Sequence, residues 1–147
     1  MEVVIFGATG KIGQEMVSYI IGRDNDIHIT AVGRRKENSF NSERVSYIPC
    51  DITDQKQFDR LPAYADAVIN LAAAVTTSVN SSDVRSYVQA NVIGAVNILD
   101  YCKNAGVDRI LYAQTYNDVF GHPNIDVLIY HDSPRKTRYS GEAASIQ

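Results

Sequence analysis

Short apolar runs alternate with segments of helical periodicity from residue 2 to about residue 114. The first run, Glu2–Phe6, is nearly all apolar after its first residue and reads as a buried strand. Lys11 to about Gly22 follows as a helix, with Ile12, Met16, Ile20 and Ile21 at helical spacing and Gly22 as its stop. Ile27–Val32 is the second strand and ends at Gly33-Arg34-Arg35; Arg44–Pro49 is a shorter third. Thr53 or Asp54 can cap a short helix through about Arg60, which Pro62 ends. Asp66–Leu71 is the fourth strand. Beyond the small, polar stretch Thr76–Ser82, a long helix begins near Asp83 and stops at Gly106, with Val88, Val92, Ala95, Val96 and Leu99 in one stripe. Arg109–Ala113 is the fifth strand. From about Tyr116 the periodicity is lost, and Pro123, Pro134 and scattered charges read as loop.

Strands that alternate with helices over short connections imply an α/β fold: a parallel sheet, right-handed crossovers and helices on both faces. The chain of 147 residues is long enough for one domain, spanning residues 1–147, with a real core. Its 45% hydrophobic and 21% charged residues are ordinary globular usage. A net charge of −3 gives no reason to expect nucleic acid or an anionic membrane surface as partner. No signal peptide or spanning segment is read, so the expected location is cytoplasmic. Cys50 and Cys102 lack metal-ligand spacing and read as buried, reduced thiols, and no metal site is expected.

The chemistry starts at Gly7-Ala8-Thr9-Gly10-Lys11-Ile12-Gly13, directly behind the first strand. A buried strand, a glycine-rich turn and a helix build a cradle for a dinucleotide pyrophosphate. The glycines permit a tight turn and close backbone approach, and the helix start aims free N–H groups at the anion. The N–H groups of Lys11 and Ile12 are the expected donors, and the Lys11 side chain adds a positive charge beside them. The spacing G-x-x-G-x-x-G resembles the short-chain dehydrogenase/reductase superfamily, and Gly-Ala-Thr-Gly-x-Ile-Gly looks most like its extended and atypical branches. Extended members often carry an aromatic residue where this chain has Lys11. The resemblance implies a Rossmann-type three-layer sandwich with strand order 3-2-1-4-5.

Three later junctions carry further candidates. Strand two ends without the acid that accepts from the ribose hydroxyls in NAD-selective relatives. Arg34 and Arg35 stand there instead, and guanidinium forks suit a 2′-phosphate, so NADP is favoured over NAD; a solvated basic turn is the competing reading. After strand three, Asp51-Ile52 matches the position that holds adenine in the family, although Asp51 could equally be a helix cap. After strand four, Asn70-Leu71-Ala72-Ala73-Ala74 offers the small residues needed where backbone passes a dinucleotide. Leu71, Ala72 and Ala73 are the candidates, against a bland packed loop. Asn91-Val92-Ile93-Gly94-Ala95-Val96-Asn97-Ile98-Leu99 resembles the long helix of extended members. Asn91 joins the cofactor set, its implied role being architectural first, through helix and water contacts near the site. Gly94 inside that helix implies a close helix–sheet approach. The same helix could pair with its copy in a homodimer or pack on the sheet.

The catalytic part of the resemblance breaks off. Extended members combine a Ser or Thr after strand five with a Tyr-x-x-x-Lys, the tyrosine acting as general acid/base. Val119-Phe120-Gly121 matches the family's Val-Tyr-Gly. It thereby places Tyr116 at the usual Ser/Thr position and Thr115 one residue before it, so both are candidates. None of the nine tyrosines is followed by lysine four positions later; Tyr139 meets Ala143. His131-Asp132-Ser133-Pro134 resembles the segment that precedes the catalytic tyrosine in sugar-nucleotide members. The resemblance therefore implies the cofactor-binding part of an NAD(P)-dependent epimerase, dehydratase or reductase. Its small-molecule substrate would be a nucleotide sugar or similar alcohol or ketone, and this chain alone would be inactive. A complete, non-catalytic dinucleotide sensor is the alternative.

Overall fold

The alternating pattern becomes a five-stranded, wholly parallel sheet in the computed structural model, which describes residues 1–37, 39–74 and 84–113. Its strands are β1 (Glu2–Phe6), β2 (His28–Gly33), β3 (Val45–Pro49), β4 (Ala67–Asn70) and β5 (Ile110–Tyr112). Their spatial order is β3-β2-β1-β4-β5, as the resemblance implies. Phe6 pairs with Val32 on one side and Asn70 on the other, Gly33 with Pro49, and Asn70 with Tyr112. The carboxyl ends of all five strands are therefore level. The chain's progress across the sheet reverses between β1 and β4, and it is outside such a reversal that ligands settle.

The two faces of the sheet are closed by different helices. Strand alternation sends Val3, Ile5, Ile29, Ala31 and Val45 to the face covered by α1 (Lys11–Arg23), where they meet Val17, Met16, Ile20 and Ile21. Val4, Phe6, Val32 and Val68 go to the opposite face, against Ile98, Tyr101 and Cys102 of α3 (Gly94–Asn104) and Leu61 beyond a 3-10 helix, Gln55–Arg60. Phe6 is fully buried and stacks on Phe58 with ring centroids 5.8 Å apart, while Tyr101 meets it edge-on at 5.9 Å. Residues 1–113 fall within one compact unit.

Three expectations are corrected and one short helix is specified. Gly22 does not stop the first helix: α1 runs on to Arg23, and among the described residues only Gly7 and Gly106 have positive φ. Ile12 is not part of the buried stripe but 67% exposed at the helix start. The short helix forms where expected, through Arg60 with Asp54 as the cap whose side chain accepts from Lys56 N–H, and it is a 3-10 helix. The long helix is not uniform and buries a different face. It consists of α2 (Val84–Tyr87), a π-helical stretch Val88–Ile93, and α3. Val88, Val92, Val96 and Leu99 are exposed, whereas Gly94, Asn97, Ile98, Tyr101 and Cys102 are buried. The buried set also has helical spacing, but its Asn and Tyr hide it from a hydrophobicity reading. Both are satisfied: Asn97 Nδ2 donates to Ile52 O at 2.8 Å and Tyr101 OH to Pro62 O at 2.9 Å.

Candidate functional site

A cavity of about 530 Å³ opens at the carboxyl edge of the sheet, over the reversal between β1 and β4. Gly7, Thr9 and Gly10 line it from the glycine loop, Gly33, Arg34 and Arg35 from the end of β2, and Cys50 and Ile52 from behind β3. Leu71 to Ala74 close the side beyond β4, and Ala90 of the π-helical stretch completes the rim. Four strand ends, separate in sequence, thus converge on one space.

The glycine loop is a backbone cradle that side chains would fill. Gly7 has φ +78°, and a Cβ there would lie within 2.9 Å of Leu71 C and O and Ala72 N. A Cβ on Gly13 would lie within 2.7 Å of three backbone atoms, Gly7 O, Ala8 Cα and Ala8 C. The start of α1 is consequently drawn against the turn behind β1. Gly10 is the extended N-cap of α1 and contributes no side-chain hydrogen bond; its own N–H donates to Gly7 O at 3.0 Å. The first intrahelical bond runs from Gln14 N–H to Gly10 O at 2.9 Å, so the N–H groups of Lys11, Ile12 and Gly13 precede the helical ladder. Donors in this arrangement, at the positive end of a thirteen-residue helix, fit a pyrophosphate.

The other junctions differ in how they meet the cavity. Arg34 and Arg35 are exposed on its rim. Thr9 lies so close to Gly33 that a Cβ there would come within 2.6 Å of the Thr9 hydroxyl oxygen, which ties the glycine loop to the end of β2. Asp51 does not line the cavity; its Oδ1 accepts from Thr53 N–H at 3.0 Å and Thr53 Oγ1–H at 2.9 Å, holding the loop that presents Ile52. Asn91 is also outside the lining. It grips Ala74 twice: Oδ1 accepts from Ala74 N–H at 2.7 Å and Nδ2 donates to Ala74 O at 2.9 Å. Asn70, buried at the end of β4, accepts from Ala72 N–H at 3.0 Å. The small-residue loop is thereby fixed from both sides. Gly94 approaches Ile52 and not the sheet: a Cβ there would fall 2.6 Å from Ile52 Cδ1.

Lys11, Ile12 and Gly13 frame the loop without lining the cavity, and Thr115 and Tyr116 lie outside the described residues. The sequence reading missed Val32, Gly33, Cys50, Ala74 and Ala90. Ala74 continues the run of small residues and Cys50 directly precedes Asp51, so adjacency was the available signal for both. Cys50 is a buried free thiol, pushed up to about 11 mainly by burial; Arg60 opposes that rise. Among the described residues no group of His, Cys, Asp and Glu could hold a metal, and no helix is long and apolar enough to cross a membrane.

Residues 3–140 match the model of the NAD dependent epimerase/dehydratase family. The chain belongs to that family. Proteins similar to it include the low-salt glycan biosynthesis protein Agl12 of Haloferax volcanii, 28% identical over 128 residues, covering 82% of this chain and 41% of that protein. The dTDP-glucose 4,6-dehydratase of Mycobacterium tuberculosis is 26% identical over 132 residues, covering 86% of this chain and 39% of the enzyme. Among solved structures, WbmH of Bordetella bronchiseptica, in complex with NAD+, superposes with a TM-score of 0.74 at 23% identity, covering 98% of this chain and 48% of that one. The UDP-glucose 4-epimerase of Thermus thermophilus, also with NAD, gives 0.74 at 22% identity, covering 99% and 47%. These likenesses show a Rossmann-type fold. The chain spans about two fifths of the length of these two curated relatives.

Proposed function

We propose that this chain is the NAD(P)-binding portion of an epimerase, dehydratase or reductase acting on a sugar nucleotide or a similar alcohol or ketone. The observation that carries the reading is the glycine cradle, which places backbone donors where four strand ends meet a cavity of about 530 Å³. Bound there, a nicotinamide dinucleotide supplies hydride transfer at the substrate carbon. The chain's own work is binding and orientation. N–H groups at the start of α1 hold the pyrophosphate, with Lys11 adding charge. Ile52 and the loop ordered by Asp51 lie along the adenosine half, and Leu71, Ala72 and Ala73 give it a close, smooth wall. Asn91 serves this wall through Ala74. Thr115 and Tyr116 are the candidates to orient a substrate oxygen. The reading is supported by relatives named as acting on dTDP-glucose and UDP-glucose. The exposed Val88, Val92, Val96 and Leu99 support a second copy of the chain as partner on that helix face.

NADP is the preferred form in this proposal, because Arg34 and Arg35 stand on the rim where a 2′-phosphate would lie and no acid is among the described residues that line the cavity. A charge-assisted hydrogen bond contributes about 1.5–3 kcal/mol, so losing one should weaken NADP tenfold or more. Titration of both dinucleotides should give tighter binding of NADP, and Arg34→Asp should abolish the difference. An Arg34→Asp variant that keeps the wild-type preference refutes the assignment. Binding without turnover is expected of this polypeptide; steady NADP-dependent oxidation of an alcohol would contradict that.

A further inference from the structure

The two arginines on the rim of the cavity stand on a turn that would be loose if left to itself. It starts at Gly33, the residue type that loses most conformational freedom on ordering, and Arg34 and Arg35 after it are exposed. Two bonds from the β3 side of the sheet fix this turn. At its start, Cys50 N–H donates to Gly33 O at 2.9 Å, continuing the β2–β3 ladder one step past the strand. At its end, Tyr47 OH donates to Arg35 O at 2.6 Å, across twelve residues of sequence. The first bond is sheet geometry and would form with almost any residue at position 50. The second depends on one phenol.

We propose that Tyr47 is a positioning residue for cofactor selectivity, holding the Arg34–Arg35 turn so that its guanidinium groups are already in place for a 2′-phosphate. The inference rests on the NADP reading of that turn. Tyr47 lies on β3, at the edge of the sheet, paired with Ala31 of β2. Its ring is half-buried among Val45, Phe40 and their neighbours, with the Phe40 centroid 6.1 Å away, so the phenol is delivered from a fixed platform. Burial pushes the phenol upward from its ordinary value, and the Arg35 charge opposes this without reversing it; the hydroxyl remains a donor at neutral pH. Guanidinium–phosphate pairing is directional, and fixing one backbone residue is worth about tenfold in an equilibrium constant. The bond is made to Arg35 and not to the glycine cradle, which in this reading grips the part of the ligand that NAD and NADP share.

The test is a titration of NADP and NAD against the wild type, Tyr47→Phe, Arg35→Ala and the double variant, with a thermal melt of each. Tyr47→Phe keeps the ring and removes only the donor. It should lower the NADP-to-NAD affinity ratio about fivefold, the loss falling on NADP, as expected for one net hydrogen bond. In the Arg35→Ala background the same change should lower the ratio less than it does in the wild type, because only the Arg34 guanidinium is left to be positioned. A wild type without NADP preference defeats the reading of the turn itself. A wild type that prefers NADP, with a Tyr47→Phe ratio unchanged or with both ligands weakened equally, leaves that reading standing and overturns the role of Tyr47. Tyr47→Trp supplies the same comparison if the phenylalanine variant does not fold, since it retains a flat edge-strand ring without the hydroxyl at that reach.

Discussion

Gly13→Ala sets two opposing effects against each other at one atom. Gly13 lies in the first turn of α1 with negative φ, so helix propensity alone would favour alanine by about 1 kcal/mol. The added methyl, however, would come within 2.7 Å of Gly7 O, Ala8 Cα and Ala8 C. Carbon contacts rest at about 3.5–4.0 Å, and all three neighbours are backbone, with no side chain able to rotate away. The helix start must move by roughly 1 Å or the turn behind β1 must open. Either disturbs Gly10 N–H to Gly7 O and Ala8 N–H to Val32 O, each 3.0 Å. Overpacking of this kind costs about 1–3 kcal/mol, leaving a net destabilisation of up to about 2 kcal/mol and a Tm lower by up to several degrees. The same shift carries the N–H groups of Lys11 and Ile12 away from any pyrophosphate, and dinucleotide affinity should fall at least tenfold. Gly22→Ala is the control. It lies in the last turn of the same helix with nothing within 4 Å of its added Cβ, and should stabilise by about 0.5–1 kcal/mol without changing affinity. Thermal melts and titration calorimetry on the two variants decide the matter. If Gly13→Ala matches Gly22→Ala in both Tm and affinity, the close packing of α1 on the glycine turn is not what builds the site.

Two further substitutions probe the walls of the cavity. Asn91→Ala removes both bonds to Ala74 and should cost about 1–2 kcal/mol in chemical denaturation. It should also weaken dinucleotide binding, because Ala74 lines the cavity; unchanged binding would reduce Asn91 to a helix brace. Cys50 keeps its proton to about 11 in the folded protein against an ordinary 9.0. Between those values the unfolded chain has released a proton that the folded one retains, so stability falls as pH rises through that window. Cys50→Ala should flatten the decline in denaturation midpoints measured from about pH 8 to 11, and a slope identical to wild type would show that burial of this thiol is not its source.

How far the sequence discloses this site follows from the distance over which each part is decided. The first strand, the glycine cradle and the helix behind it rest on local patterns, a buried run followed at once by turn and helix, and they survive intact from Glu2 to Gly13, whereas the strand order came through the family resemblance. The cavity wall was legible for the same reason: each junction follows a recognisable strand, and parallel strands of matched register bring their ends level. What stayed hidden is set across the chain. The face that α3 buries contains Gly94, Asn97 and Tyr101, whose burial becomes favourable only because Ile52 fills the space beside the glycine and the carbonyls of Ile52 and Pro62 accept the two polar groups. A periodicity reading sees the valines instead, and assigns the interior to the face that is exposed. Tyr47 is hidden more deeply, since it acts on one backbone position far from it in sequence, Arg35; Asn91 was named through the resemblance, but its partner Ala74 was not. Neither residue touches the cavity, yet both fix segments that do. In this fold the residues that meet a ligand are encoded at strand ends, whereas the residues that hold those ends still are encoded by register, and they become visible only once the chain is folded.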